Sequence, residues 1–293
     1  GTLLGTTAPA ASAGIATFTG LGITGTTGTA YTVTFTSGSL GTATYTTTLL
    51  GTSPTTAAIV AAATETRNPI NYKFSQLAAA GTTNITYGMA LSSDGSTVFY
   101  SDTEGRKIMM VPTGTGVQTA TVLVGSGTLG NNDGTGTGAS LTRPAGLHVQ
   151  SDGSLIVAEF DGVRVRKISF TGGAISAATA VVTTLAGTGS SSSLNGPLAS
   201  GTLYQPIQVT SNGSGLVFVM QQGNSILRLI DTTVSTSSHG YLTTLAGVAS
   251  GSPPHVNAAG YDARFNSPYA LAWDSAGNLI VADYGNDTIR KIT

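Results

Sequence analysis

Short apolar runs separated by polar turns recur at a regular spacing through most of the chain. In residues 266–293, NSPYALAWDSAGNLIVADYGNDTIRKIT, one run precedes Asp-x-x-Gly, a second ends in Asp, and a third carries Arg-Lys. Comparable stretches cover 87–111, 144–170 and 206–230, and the prolines that begin the last three copies are 62 residues apart. Self-similarity at a fixed period indicates a repeat architecture built from one supersecondary unit.

The runs within each repeat have the length of β-strands, for example LIVAEF and VRVRKISF in the second copy. A fourth run follows three of the copies, at 120–125, 181–187 and 241–247. Four short antiparallel strands per repeat, separated by Gly-rich turns, are typical of a propeller blade. The period is long for a blade, and the surplus lies in linkers such as 188–205, which we expect at the rim of one face.

The last copy resembles a blade of the NHL-repeat family. That pattern has a proline before the inner strand, Asp-x-x-Gly at the first turn, an apolar run ending in Asp, then Asn and Arg-Lys. The matching residues are Pro268, Asp274, Gly277, Asp283, Asn286, Arg290 and Lys291. The second copy has Glu159 in place of the acid, and in the third we assign Met220 to that position, with Arg228 retained. The resemblance covers about residues 72–293 and implies an all-β, NHL-type propeller with four recognisable blades.

The fourth copy lacks an outer strand, and the segment YKFSQLAAAG at 72–81 parallels VVTTLAGTG of the second copy. If residues 72–80 pair with TIRKIT at the end of the chain, a four-bladed ring closes. The alternative is an open arc whose remaining blades are missing, since members of the family more often have about six. The match between the missing and the supplied strand favours closure.

The beginning of the chain has a different pattern. Apolar and polar residues alternate with period two in 14–23, 30–40 and 42–50, which predicts half-buried strands. The run GIATFTGLGITGTTGTAYTVTFTSGSL resembles the Ig-like filler domains of large bacterial and algal surface proteins. The resemblance implies a small β-sandwich, incomplete with so few strands, that serves as a spacer or adhesive module.

Charge divides the chain. Charged residues make up 9% of it, and none lies before Glu65. We therefore predict a sandwich domain at 1–53, a linker at 54–71 and a propeller at 72–293. The net charge of −1 indicates neither a nucleic-acid nor an anionic-membrane partner, and no apolar stretch is long enough to span a membrane.

The charge-free, Thr-rich sheet suggests where the protein works. Such a surface tends to associate unless neighbouring subunits or sugars cover it. We therefore expect an extracellular structural protein without enzymatic activity, a subunit of a surface filament, stalk or cell-surface layer such as an algal flagellar hair. Its partners would be copies of itself or other structural chains, together with N- and O-linked glycans. The alternative is a secreted propeller that binds a small ligand or glycan, or acts as a lyase or hydrolase.

Few residues suggest a chemical site. Candidate glycosylation sequons begin at Asn84, Asn212 and Asn286. For the alternative function, the candidate ligand residues at the channel mouth are His148, Gln150 and Gln208.

The sequence predicts no catalytic residue, metal site or cofactor. The chain has no cysteine, and its three histidines, His148, His239 and His255, fall on dissimilar elements. His148 alone lies on a predicted inner strand, with Gln208 as its counterpart in the third repeat. The Gly-rich stretch 130–138 lacks the acid spacing of an EF-hand loop and is interpreted as a linker.

Overall fold

The computed structural model describes residues 2–4, 22–24, 30–37, 41–48, 77, 86–233, 240–248 and 255–293. The chain divides into two compact units, Gly1–Phe74 and Ser75–Thr293. Apart from single turns of 3-10 helix, the regular structure of the described residues consists of β-strands, which confirms the all-β prediction. No helix among them is long and apolar enough to cross a membrane.

The first unit contains two separate antiparallel strand pairs. Strand β1 (Thr2–Leu4) pairs with β2 (Gly22–Thr24), and β3 (Ala30–Ser37) pairs with β4 (Gly41–Thr48). The last two agree with the strands predicted by alternation, whereas most of the predicted strand 14–23 lies outside the described residues. The Ig-like sandwich and the linker at 54–71 stay predictions.

The second unit is a four-bladed β-propeller made of antiparallel sheets. Blade 1 consists of β5 (Thr86–Leu91), β6 (Thr97–Asp102), β7 (Lys107–Pro112) and β8 (Thr121–Val124). Blade 2 consists of β10 (Pro144–Val149), β11 (Leu155–Glu159), β12 (Arg164–Phe170) and β13 (Ala180–Ala186). Blade 3 consists of β15 (Pro206–Ser211), β16 (Leu216–Gln221), β17 (Ile226–Asp231) and β18 (Tyr241–Ala246). In blade 4, β19 (Ala270–Trp273), β20 (Leu279–Asp283) and β21 (Thr288–Ile292) are described.

The long linkers contribute short strands to the blades that they precede. Strand β9 (Gly134–Thr135) pairs with β13 at the outer edge of blade 2. Strand β14 (Gly196–Pro197) pairs with β18 in the same way at blade 3. The surplus length of the repeat therefore covers sheet edges that would otherwise expose unpaired backbone groups.

Successive blades bury apolar side chains between their faces. The three interblade cores contain Phe99, Leu155 and Ile168; Ile156, Val209 and Val219; and Met220, Leu271 and Val281. These residues alternate with others along each strand because successive side chains point to opposite faces of a sheet. Period-two patterning in the repeats thus produces a stack of blades.

The predicted closing strand, 72–80, lies outside the described residues except at Leu77. The Leu77 carbonyl oxygen accepts a hydrogen bond from the Gln118 amide at 2.7 Å, and its side chain packs on Tyr100 and Met109 of blade 1. Leu185, at the matching place in β13, packs in the same way into the core shared with the following blade. Closure of the ring through β21 stays a prediction.

A polar side chain at the end of the second strand connects to the loop that leads into the inner strand. Glu159 accepts a hydrogen bond from the Thr142 amide at 2.8 Å, and Asp283 accepts one from the Asn266 amide at 2.7 Å. In blade 3 the acceptor is Gln221, which binds the Tyr204 amide at 3.1 Å. Gln221, and not Met220, therefore occupies the acid position of the third repeat, so our assignment was wrong by one residue.

The repeated arginine of the third strand anchors the linker that precedes its own blade. In blades 2, 3 and 4 its guanidinium donates to carbonyl oxygens 26 and 34 residues earlier in the chain. The arginines are Arg166, Arg228 and Arg290. Two of them also pair with the strand-end acid, at 3.1 Å for Glu159 and 2.9 Å for Asp283. The repeated arginine and the strand-end side chain therefore have a structural role within each of these blades.

Burial shifts the pKa values of charged side chains in these networks. Glu159 and Arg166 have no exposed side-chain surface, and burial raises the pKa of Glu159 while Arg166 and the Thr142 amide counteract it. Arg228, which has Gln221 in place of a carboxylate, has its pKa lowered to about 10 by burial. A buried ion pair mainly specifies geometry, and the loss of one partner is costly because the other stays charged.

Replacement of Glu159 tests this network. We expect Glu159→Leu to reduce the free energy of unfolding by about 3–5 kcal/mol, because Arg166 loses its buried partner. Glu159→Gln reproduces the Gln221 arrangement of blade 3 and should cost clearly less. Urea denaturation of the full chain measures both. Asp152→Asn, which removes an exposed pair with Lys167 at 3.3 Å, is the control and should cost less than about 1 kcal/mol. Equal costs for the two Glu159 variants would contradict the assignment.

Candidate functional site at the propeller mouth

A cavity of about 70 Å³ lies where the inner strands of the four blades begin. Two repeated positions form most of its wall. The first is the residue after the proline of the inner strand, or after Thr86 in blade 1: Tyr87, Ala145, Ile207 and Tyr269. The second is the residue after the strand-end polar side chain: Thr103, Phe160 and Gln222. Arg143 completes the lining. Each blade thus contributes to one shared mouth.

The inner strands of blades 1, 2 and 3 are in close contact beside this mouth. A β-carbon at Gly88 would lie 2.4 Å from the Ala145 carbonyl oxygen, and one at Gly146 would lie 2.7 Å from that of Ile207. Both positions therefore require glycine, because the backbone of the neighbouring strand lies too close for a β-carbon. The strands leave no room between them for a side chain at this level, which keeps the cavity shallow.

Three tyrosines form a continuous aromatic surface on the side of blades 1 and 4. The rings of Tyr87 and Tyr269 stack with centroids 6.2 Å apart, and those of Tyr269 and Tyr284 lie at 6.1 Å. Their exposed fractions are 41%, 36% and 70% for Tyr87, Tyr269 and Tyr284. Ring faces left partly open to solvent at a concave site are available to a ligand.

Tyr269 is the perturbed acid of this surface. Burial, followed by a hydrogen bond with Tyr87, raises the pKa of Tyr269 to about 12. The phenol therefore stays protonated through the neutral and mildly alkaline range. It can donate a hydrogen bond to a ligand but does not act as a base near neutral pH.

Arg143, just before the inner strand of blade 2, also lines the cavity and has a strained backbone conformation. Its φ is 48°, although it precedes Pro144, and the equivalent residues Gln205 and Ser267 both have a φ of 44°. A non-glycine residue in the left-handed region costs on the order of 1 kcal/mol or more. The hydrogen bonds from the residues before them to the strand-end side chains maintain this conformation in all three blades.

The guanidinium of Arg143 is surrounded on several sides. It lies 5.2 Å from the ring centre of Phe160, 3.1 Å from an Asp161 carboxylate oxygen and 3.6 Å from one of Glu104. Burial opposes the charge, but Asp161 and Glu104 outweigh it and raise the pKa of Arg143. Arg143 therefore provides a positioned cation with N–H donors at the rim.

The size of the cavity limits how a ligand is bound. Its volume of about 70 Å³ holds roughly two water molecules, whereas sites that enclose a drug-sized ligand have several hundred Å³. A ligand would therefore lie over the tyrosine faces and insert one edge into the cavity. The described residues bring no three His, Cys, Asp or Glu side chains together in a way suited to a metal ion.

The predicted ligand residues lie elsewhere. His148 is in the second half of β10, Gln150 is in the following turn, where it accepts a hydrogen bond from Ser154, and Gln208 is in β15. None lines the cavity, and no described hydrogen bond joins any two of them. In the register, His148 is equivalent to Thr210 and Gln208 to Gly146, because the residues of each pair lie at the same distance from the first proline of their strands. Burial lowers the pKa of His148. A site at these residues stays a prediction.

The other candidates are dispersed. Asn84 and His239 lie outside the described residues, and His255 is exposed in a linker. Asn212 is exposed in a turn, with its side-chain oxygen accepting from the Ser214 and Leu216 amides. Asn286 is partly buried and donates its side-chain amide to Asp283 at 2.9 Å.

Sequence reasoning did not identify the mouth residues. They stand at fixed offsets in each repeat, one after the inner-strand proline and one after the strand-end acid, but their side chains differ from blade to blade. The signal that identifies them is found by aligning the four repeats. They are the variable positions directly next to the repeated proline and the repeated strand-end side chain.

Comparison with known proteins identifies part of the chain. Residues 70–193 match the family described as the SMP-30/Gluconolactonase/LRE-like region. The chain thus contains a gluconolactonase-like region. Over 124 residues, 42% of the chain, it is 28% identical to the Arabidopsis thaliana protein suppressor of quenching 1, chloroplastic, of which it covers 11%. No match shows the predicted NHL family, which stays a prediction.

Solved structures share the fold. A Bacteroides thetaiotaomicron protein of unknown function has a TM-score of 0.52 at 21% identity, with 70% of this chain and 46% of that chain covered. A Bacteroides ovatus auxiliary nutrient binding protein has a TM-score of 0.52 at 16% identity, with 72% and 49% covered. The chain spans about half the length of these proteins, and the likeness concerns the fold alone.

These matches correct two expectations. The structural role in a filament, stalk or surface layer is wrong, because the region matched at 70–193 is gluconolactonase-like and supports ligand binding or enzymatic activity instead. The expectation that the protein is not an enzyme is wrong on the same finding. Both expectations rest on the composition of the N-terminal segment, and that composition carries no information about the propeller mouth.

The state of Tyr269 can be tested by absorbance titration of phenolate formation. We expect Tyr269→Phe to remove a phenol that titrates near pH 12, and Tyr87→Phe to lower the midpoint of Tyr269 by removal of the hydrogen bond. An unfolded tyrosine titrates near 10, so this group makes stability fall as pH rises between about 10 and 12. A Tyr269 midpoint near 10 in the folded chain would contradict the assigned environment.

Proposed function

We propose that the propeller binds a small, ring-bearing ligand at its mouth and that this region of the chain is a ligand-binding or enzymatic module. The observation that carries the proposal is the contact of Tyr87, Tyr269 and Tyr284 beside a cavity that Tyr87, Tyr269 and Arg143 line together. Aromatic faces beside a polar donor are suited to a molecule with one apolar face and polar edges.

Sugars and sugar lactones have this character. The C–H face of a saturated ring stacks on tyrosine, and its oxygens accept hydrogen bonds from phenol, amide and guanidinium groups. The name of the family matched at 70–193 includes gluconolactonase, and a structural neighbour is named a nutrient-binding protein, which supports this ligand class. Because the cavity is shallow, we expect weak binding, with a dissociation constant on the order of 1 mM to 1 μM.

The first test is titration of the full chain with a panel of neutral monosaccharides, disaccharides and aldonolactones, followed by NMR. Tyr87→Ala and Tyr269→Ala should each weaken binding about tenfold, since a lost stacking contact is worth roughly 1 kcal/mol or more. Tyr241→Ala is the matched control, because Tyr241 is 43% exposed and lies on β18, away from the mouth. Binding that persists in both mouth variants, or is lost in the control, would refute the site.

A second candidate function is hydrolysis of a lactone at the same mouth, which the gluconolactonase-like region favours. Water would add to the ester carbonyl, the ring C–O bond would break, and a hydroxy acid would form. Arg143 is placed to polarise the carbonyl oxygen, while the rim carboxylates Glu104 and Asp161 are the nearest groups able to accept a proton from water.

This activity is measured by acid release from glucono-1,5-lactone above the spontaneous rate. We expect Arg143→Gln to lower kcat at least tenfold, because the developing negative charge loses its cation. Lys167→Gln, a change at an exposed ion pair outside the mouth, serves as the control. If the chain binds the lactone and never exceeds the spontaneous rate, binding stands and hydrolysis fails.

Several expectations from the sequence carry over as proposals. Asn212 is better placed for an N-linked glycan than Asn286, whose amide nitrogen is engaged with Asp283. Extracellular placement and association with other chains rest on the low charge and Thr-rich composition of the first part of the chain. The Ig-like and NHL-type assignments rest on the motifs quoted above.

A further inference from the structure

Arg143, the cation at the mouth, lies close to two carboxylates. Arg143 lies 3.1 Å from Asp161 and 3.6 Å from Glu104, and the three side chains are 33%, 43% and 42% exposed. The two acids are therefore accessible to solvent at the rim. Around Arg143 the negative charges outnumber the positive charge.

The repeat explains why these acids lie at the mouth. Glu104 and Asp161 are equivalent residues, one after Thr103 and Phe160, which line the cavity. In blades 3 and 4 the same position is Gly223 and Gly285. At this position of the repeat, carboxylates are thus present in blades 1 and 2 and absent from blades 3 and 4.

Arg143 is the one charged residue of the described part that lines the cavity, and Glu104 and Asp161 reach the rim as its ion-pair partners. Arg106, on the same turn as Glu104, donates to the Glu104 carbonyl oxygen at 3.5 Å and takes part in none of the described ion pairs. Arg164, on the turn of Asp161, donates to the Gly162 and Thr188 carbonyl oxygens. An approaching ligand therefore meets one guanidinium that is already paired, and two acids.

Elementary electrostatics gives the consequence. A unit charge about 6 Å from a carboxylate in water interacts by enough to change an equilibrium roughly threefold, and the effect is screened by salt. An anionic ligand is attracted by Arg143 and repelled by both carboxylates, so that the sum of the three charges acts against it. An uncharged ring is not repelled and keeps the hydrogen bonds.

We propose that Glu104 and Asp161 are specificity-determining residues that exclude anionic ligands from the mouth, so that the site selects uncharged ring compounds over their phosphorylated or carboxylate counterparts. This inference rests on the mouth being the ligand site under the proposed function. It assigns to the two acids a role that the neighbouring glycines of blades 3 and 4 do not have.

The charge of the mouth can be measured without a ligand. A single fluorescent reporter is placed by Tyr87→Trp in a Trp273→Phe background, since Trp273 is the one tryptophan of the chain. Iodide is the anionic quencher and acrylamide the uncharged one. At low salt we expect Glu104→Gln with Asp161→Asn to raise the iodide quenching constant about threefold or more and to leave acrylamide quenching unchanged.

Two controls separate the local charge from other effects. Asp152→Asn removes one exposed carboxylate in the turn after β10, at the other end of that strand, and should leave both quenching constants unchanged. Salt near 1 M should abolish the difference between the reporter and its double variant, because the screening length falls to about 3 Å. Iodide quenching that does not respond to the double replacement would overturn the proposal.

A ligand arm uses glucose and glucose 6-phosphate. We expect glucose to bind the unaltered chain at least tenfold more tightly than glucose 6-phosphate, and the double replacement to narrow that ratio to threefold or less. If the quenching result holds and neither sugar binds, the two acids still repel anions from the mouth, and the proposed binding of sugars is wrong. If both sugars bind the unaltered chain equally, the mouth binds ligands and the charge selection is wrong.

Discussion

A backbone amide bound to the polar side chain that ends the second strand is the interaction on which the propeller mouth depends. It joins Thr142 to Glu159, Tyr204 to Gln221 and Asn266 to Asp283. The amide belongs to the loop that enters the inner strand, and the acceptor belongs to the strand beside it. The residues that follow each partner are therefore adjacent, and three of them, Arg143, Phe160 and Gln222, line the cavity.

The arginine of the third strand extends this connection outwards. Through carbonyl oxygens at constant distances in sequence, it attaches the linker of each blade to the same region as the strand-end side chain. In blade 2, Arg166 also pairs with Asp133 at 2.7 Å. In blade 3, Gln221 takes the place of Glu159 and Asn195 that of Asp133, and the geometry is retained. The blades thus share the geometry of these contacts and not the energy of an ion pair. This agrees with the small net contribution of buried ion pairs to stability.

The parts of the molecule that could be predicted from the sequence are those that repeat. Strand positions, blade count and the structural role of the acids and arginines follow from period-two alternation and from a constant motif. Gln221 was missed, although it lies as far after Pro206 as Glu159 does after Pro144, because a glutamine at the acid position does not stand out as part of the motif. The mouth was missed because its residues are those that differ between copies, and the function was misjudged because composition of one unit says nothing about the site of another.

The strain at Arg143, Gln205 and Ser267 recurs at one place in each of blades 2, 3 and 4. Since these three blades deliver their side chains to the mouth from a backbone of the same shape, the scaffold and the recognition surface are specified by separate sets of positions. Such a separation allows one blade's contribution to be exchanged for another chemistry while the framework is untouched. In this fold, the side chains at the mouth can therefore change while the backbone that carries them stays the same.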